Sequence, residues 1–444
     1  MRDLGPPRLA STARPEDGPM TSPYYVGIDI GRRQHSLAVL PADRPDTWTR
    51  VPVFSFSADA PGFAAALTYL TQAGATPAGA RCALEATGGY YSRPLYATLR
   101  AQGYQVHWVK NPAVHDLRET VYGRRSKTEA EDARLIARLL FLQEAVGQEY
   151  AFHLVQPSDE RYQYLRLLVD LRWKQVQARR RASNQLTPVL DVLFPEFRLV
   201  FRKSVTGPTA LHLLRRFPTV AAIAEAPVAD LHQALVGEAR SLRHQTAAAP
   251  LKRWAQETAG LKVGIGPLQL AQDWLVQTLA ALDQSLADLD QRLATAVQPL
   301  PEAAVLATFP AMSPTRVATL LAGMGAPVTQ FPTDRALRKQ WGWYVEVEQS
   351  GAHYRSRLGR GGNRGTRREL YLLAMQLIQD RTPDNPFRHD YRRLLRGNPS
   401  PKVPKVALGH VASKLTTVMF VCMRHTTPYD PQTLAKHMGI TRSA

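Results

Sequence analysis

The order of the N-terminal apolar segments constrains this chain more than any other feature. Tyr24 to Ile30 is an apolar run interrupted only by Gly27 and Asp29, and Gly31-Arg32-Arg33-Gln34 turns it into a second run, His35 to Leu40. Thr47 to Phe56 reads as a third strand. Gly62 to Leu70 has amphipathic helical spacing, Arg81 to Glu85 is a short apolar strand, and Gly88-Gly89 break the chain. Tyr91 to Ala101 then reads as a helix and Tyr104 to Val109 as a strand. Helical spacing returns from Pro112 to Arg118 and from Glu129 to Leu142.

Three strands followed by alternating helices and strands is the order of an RNase H-like fold. In that order the acids fall at informative places. Asp29 ends an apolar strand, Glu85 ends another, and Glu129 and Asp132 stand three apart on a helix and so share a face. Glu131 lies about 200° around the helix from Glu129 and faces elsewhere. Two-metal phosphodiester chemistry needs several carboxylates around ions about 3.5–4 Å apart. Any one of these acids alone reads as a solvated residue or a helix cap; the joint pattern reads as a metal-ion nuclease centre. Gly27-Ile28-Asp29-Ile30-Gly31 also resembles the phosphate loop of actin-like kinases. Those continue with Thr or Ser, whereas Arg32-Arg33 follow here.

A second island is Ser350-Gly351, followed by Arg355, Arg357, Arg360, Arg364, Arg367 and Arg368 with no acid up to Arg368. Interleaved glycines let backbone amides approach a phosphate, and arginines grip its oxygens in pairs. A serine needs a base or a lowered pKa to attack, and dense arginine stabilises the charge that develops. Read from these residues alone, a gripping loop with an idle serine stays open. Further phosphate contacts are expected at Arg124, Arg125 and Lys127, and at Arg179, Arg180 and Arg181. Trp341, Trp343 and Tyr344 are candidates to stack on bases.

Lys and Arg total 56 against 37 Asp and Glu, a net charge of +19 that points to a polyanionic partner. The 444 residues allow about two or three domains. We divide them into a disordered tail over 1–22, a catalytic domain over 23–150, a helical, coiled-coil region over 151–299, and a mostly α C-terminal domain over 300–430. The coil rests on Leu275, Leu279, Leu282, Leu286, Leu289 and Leu293, whose spacing of four and three makes an apolar seam. A small helical insert is expected over Leu213 to Gly264. Short helices should flank Phe309-Pro310-Ala311-Met312-Ser313-Pro314, and Ser350 should lie in a loop. Two cysteines, Cys82 and Cys422, offer neither a disulfide framework nor a zinc spacing. No run of about 18 apolar residues predicts a membrane span. The first residues lack the apolar core of a signal peptide, and Met20 is a candidate alternative start.

Taken together, Gly27-Ile28-Asp29-Ile30, Glu85-Ala86-Thr87-Gly88, Lys127-Thr128-Glu129-Ala130-Glu131-Asp132-Ala133, Asn184-Gln185-Leu186 before Leu193-Phe194-Pro195-Glu196, and Gln349-Ser350-Gly351 ahead of Gly362-Asn363-Arg364 resemble one family. It is that of the DEDD-type insertion-sequence transposases, related to the Piv-like DNA invertases and including bridge-RNA-guided recombinases. The resemblance runs from residue 24 to about 420. It implies a RuvC-like (RNase H-like) α/β domain, a coiled coil, and a C-terminal transposase domain with a nucleophilic serine. It assigns Asp29, Glu85, Glu129 and Asp132 to Mg2+ (or Mn2+) and Ser350 to covalent attack on DNA. It also implies donor and target DNA, a structured guide RNA, a dimer or tetramer joined through the coil, no membrane, and a prokaryotic cytoplasm beside the nucleoid. Two departures stand out. The family usually carries Asp where this chain has Glu129, and Pro-Gly-Ile-Gly where it has Pro310-Ala311-Met312-Ser313. A hydrolytic RuvC-like nuclease and a non-catalytic nucleic-acid binder are the alternatives.

Overall fold

The computed structural model describes residues 23–85, 91–109, 111–123, 128–146, 152–154, 160–236, 246–350, 353–359, 361–381, 385–396 and 403–437. The chain divides into two compact units, Met1–Pro157 and Ser158–Ala444.

The first unit is built on a mixed sheet. β1 (Tyr24–Ile30) and β2 (Gln34–Pro41) form an antiparallel hairpin, and β3 (Val53–Ser57) extends it. β4 (Ala80–Glu85) and β5 (Gln105–Val109) run parallel to β1, and β6 (Phe152–Leu154) closes the far edge antiparallel. The spatial order is β3-β2-β1-β4-β5-β6. β1 is buried along almost its whole length, which explains its nearly unbroken apolar run. The expected third strand begins later than its sequence suggests. Pro45 opens a 3-10 helix over Pro45–Arg50, and Pro52 directly precedes β3. Proline presets a helical first turn and has no N–H for a sheet ladder.

Helices cover both faces. Val26, Ile28, Leu37 and Val39 meet α1 (Ala60–Gln72) and α2 (Ser92–Ala101) through Ala66, Leu70, Leu95 and Leu99. Tyr25, Ala38, Leu40 and Ala83 meet α3 (Asn111–Tyr122) and α4 (Glu129–Val146) through Val114, Ala133, Ile136, Ala137 and Leu140. The split follows from the two-residue alternation of strand side chains. Asp59 accepts from the Gly62 amide at 2.9 Å, so α1 starts ahead of the apolar periodicity. Cys82 is fully buried, and burial pushes its thiol pKa far up.

The second unit is threaded by two long antiparallel helices. α5 (Glu160–Leu193) is followed by α6 (Phe197–Val200), α7 (Pro208–Arg216), α8 (Val220–Glu225), α9 (Val228–Val236) and α10 (Ala248–Gln256), and α11 (Gly266–Val297) returns along α5. Arg172 bonds Asp290 at 2.5 and 3.2 Å, and Arg179 bonds Asp283, so matched pairs bridge the two helices. The apolar seam is covered by the chain itself. Leu279, Leu289 and Leu293 are buried, and Leu275, Leu282 and Leu286 are half-buried. A core lies toward each end of this pair. One joins Ala182, Leu186 and Leu279 to the small helices α6–α10, a bundle that begins upstream of the expected insert. The other joins Tyr162, Leu165, Leu293 and Val297 to the C-terminal helices.

Those C-terminal elements are α12 (Pro301–Ala307), α13 (Pro314–Met324), α14 (Asp334–Trp341), a hairpin of β7 (Val345–Ser350) and β8 (His353–Leu358), α15 (Arg364–Gln379), α16 (Pro386–Leu395), α17 (Val403–His425) and α18 (Pro431–His437). Among the described residues one helix, over Pro404–His425, is long and apolar enough to cross a membrane, where the sequence led us to expect none. More than half of it is buried, with Val411, Ala412, Leu415 and Met419 packed inside the second unit, which is how a core helix meets the same criteria.

Candidate functional site

In the first unit the strand register brings two acids side by side. β1 and β4 pair in parallel with Gly27 opposite Ala83 and Ile28 opposite Leu84. Asp29 and Glu85 are the next positions, so they sit at adjacent strand ends on one face. It is the face that α4 covers. A Cβ added at Gly27 would collide with the Ala133 carbonyl oxygen and the Ala137 amide nitrogen, so only glycine admits the helix this closely. A methyl placed on Gly31 would sit 3.6 Å from Glu129 Oε1. The helix therefore runs back along β1, and its first turn, with Glu129 and Asp132, overlies the stretch that carries Asp29.

Local sequence sets where that helix starts. The Thr128 hydroxyl accepts from the Glu131 amide at 3.2 Å, and Thr128 and Glu131 have the spacing of a capping box. The four acids differ in exposure. Asp29 is 4 % exposed and Asp132 only 1 %, whereas Glu85 is half-buried and Glu129 exposed. Arg118 of α3, itself 7 % exposed, donates to Asp132 Oδ1. Nothing in the sequence around Leu117-Arg118-Glu119 marks it as a partner, because the pairing needs α3 folded against α4.

Carboxylate oxygens are the hard donors that Mg2+ and Mn2+ prefer, so the set fits a divalent ion in donor chemistry. Among the described residues no three such groups stand close enough together to hold one. Glu129 and Glu85 have the exposure to re-orient, whereas Asp132 is engaged by Arg118.

In the second unit Ser350 is the last residue of β7, not part of a loop, and its register partner is His353. The glycines that suggest a loop come later and serve the hairpin base. A Cβ at Gly359 or Gly361 would meet the Tyr344 ring, and the Gly361 amide donates to Tyr344 Oη at 3.1 Å. Arg367 donates to the Gly359 carbonyl at 2.7 Å and also to that of Gly361. Arg364 is exposed. Arg368 stacks over Trp173 of α5, 4.4 Å from the ring centroid, a link the sequence did not suggest. For Ser350, Arg355 and Arg357 the structure describes the backbone register; Arg360, Arg124, Arg125 and Lys127 lie outside the described residues.

Two expectations of nucleic-acid contact change in this light. Trp341 is fully buried and donates its indole N–H to Leu320 at 3.1 Å, and Trp343 is 5 % exposed; both belong to the core and not to a base-stacking surface. Arg179 is committed to Asp283 and to the Thr206 carbonyl, while Arg180 and Arg181 are exposed. The turn before α13 keeps a glycine-like shape without glycine. Ala311 has φ +59°, and the Arg316 guanidinium donates to its carbonyl.

Comparison with known proteins matches these two regions separately. Residues 26–195, which contain all four acids, match a DEDD transposase model of the IS110 type. Residues 303–392, which contain Ser350 and the arginine run, match a model described as transposase of the IS116/IS110/IS902 family. A Streptomyces coelicolor mini-circle protein, named as a transposase candidate for IS117, is 25 % identical over 330 residues, covering 72 % of this chain and 75 % of that protein. With acids and serine region each falling inside a matched span, the chain belongs to the IS110 family of DEDD transposases, enzymes that recombine DNA to move an insertion sequence.

Proposed function

We propose that this transposase cuts and rejoins DNA through Ser350, with a divalent ion, Mg2+ or Mn2+, held by Asp29, Glu85, Glu129 and Asp132. The observation that carries the metal half is the placement of these acids on one face, at the ends of β1 and β4 and in the first turn of α4. The sheet order, with β1–β3 antiparallel and β4 and β5 parallel to β1, supports an RNase H-like reading. A bound ion supplies Lewis-acid polarisation of a phosphate oxygen.

The serine step is a transesterification. Ser350 Oγ loses its proton and bonds to phosphorus, the bond from phosphorus to a bridging sugar oxygen breaks, and that oxygen leaves as a hydroxyl. The energy of the broken ester is kept in the phosphoserine link, so rejoining needs no cofactor. Arg364 and Arg368, with Arg355, Arg357 and Arg360 by sequence position, supply positive charge on the same side of the chain in sequence. Arg180 and Arg181, with Arg124, Arg125 and Lys127, extend that charge to DNA and to a structured guide RNA. We assign residues 23–150, 151–299 and 300–430 to catalytic, coiled-coil and serine domains. A homodimer or homotetramer forms through outer faces of the α5–α11 pair, since its apolar seam is covered within the chain.

The test is a denaturing gel of the protein with labelled element-end DNA, Mg2+ and RNA from the element's non-coding ends. A protein–DNA adduct that disappears in Ser350→Ala is the expected result. Cleaved, protein-free DNA with both proteins would assign attack to water and make this a hydrolytic nuclease. Salt-sensitive binding without cleavage, unchanged when all four acids are replaced by their amides, would reduce it to a binder.

A further inference from the structure

We infer that Arg118 is the resident counter-cation of the acid set and sets how tightly that set takes a divalent ion. The inference rests on the metal reading above. Asp29 on β1 and Asp132 in the first turn of α4 are both buried, and carboxylates removed from water require positive charge nearby. Arg118 supplies it, with side-chain exposures of 9 % for the arginine and 1 % for the aspartate. A guanidinium keeps its charge at any pH the fold survives, so this cation cannot leave by losing a proton.

Its bonding differs from that of the two-pronged pairs of the same molecule. Arg172 with Asp290, Arg179 with Asp283 and Arg198 with Asp191 each use Nε and Nη2 against both carboxylate oxygens. That two-pronged geometry is the strong one. Arg118 instead reaches Asp132 Oδ1 through Nη2, while its buried Nε has no hydrogen-bond partner. Arg118 is thus a one-pronged hold on a candidate ligand, and an arriving ion must displace it or tolerate its charge. It is a positioning residue that raises the concentration of divalent ion needed to fill the site.

The test uses the full chain, stripped of metal by chelation and of nucleic acid by nuclease, and titrated with Mn2+ by calorimetry and thermal shift. Arg118→Gln should lower the midpoint of the titration about tenfold or more, within the range of coupling between two sites. It should also melt earlier than wild type without metal. Arg118→Lys, which keeps the charge, should stay near the wild-type midpoint. Asp29→Asn should remove the response in either background. Arg118→Met, an apolar chain of similar reach, repeats the measurement if the Gln variant does not fold. A wild type that binds Mn2+ with a midpoint unchanged or raised in Arg118→Gln and Arg118→Met overturns the role of Arg118 alone. No response in any protein overturns the metal reading and this inference with it.

Discussion

The acid region of the first unit and the serine–arginine region of the second are built on opposite plans. In the first, glycine and small apolar residues let a helix close on a strand, and backbone register carries Asp29 and Glu85 to adjacent strand ends. Gly27 against Ala133 and Ala137 is the contact that lets the helix close. In the second, some of the residues with the look of ligand contacts are spent on the scaffold. Arg367 ties down Gly359 and Gly361, and Tyr344 fills the space those glycines leave. A motif residue can therefore hold the chain or face a ligand, and its bonding decides which.

Three substitutions would break or sharpen this contrast. The largest effect is expected from Gly27→Ala. Its methyl has nowhere to go between β1 and α4, so the first unit should lose about 4 kcal/mol or more. Chemical denaturation should then show that unit unfolding at lower urea while the second is unmoved; a shared transition at the wild-type midpoint would contradict the close approach. Next comes Arg367→Ala, which removes charged donors from two carbonyls and should cost about 2 kcal/mol locally. Hydrogen exchange over Val345–Leu358 should speed up about tenfold or more, whereas Arg364→Ala should leave it within error. Equal effects from both arginines would erase the distinction between scaffold and surface. The smallest effect is a gain. Ala311 pays for its φ of +59°, and Ala311→Gly should stabilise the second unit by about 0.5–1 kcal/mol. Calorimetry should show a melting rise of about 1–3 °C; a fall would mean that the Ala311 methyl makes a contact that matters.

Much of the first unit was legible in the sequence because its signals are local. The apolar run of β1, the helix start at Glu129 and the strand end at Glu85 depend on near neighbours. The third strand begins later than the apolar pattern predicts, since Pro45 and Pro52 act through backbone geometry that such a pattern does not register. The strand that ends at Ser350 looks like loop in the sequence because the glycines after Leu358 suggest irregular chain upstream of themselves. Trp341 and Trp343 look like base-stacking candidates in the sequence because they stand near Ser350 and its arginines. Aromatic residues near charge look the same in sequence whether they face solvent or, as here, the core.

The sequence by itself determined the alternation of strands and helices, the family and the identity of the acids and serine that its motifs contain. These follow from short-range periodicity and from residue types at given spacings. Only the tertiary structure decided which charges are used up inside the protein. Arg118 meets Asp132 across 14 positions of chain and Arg179 meets Asp283 across 104. Burial makes a charge find a partner, and packing, which joins elements distant in sequence, chooses which one.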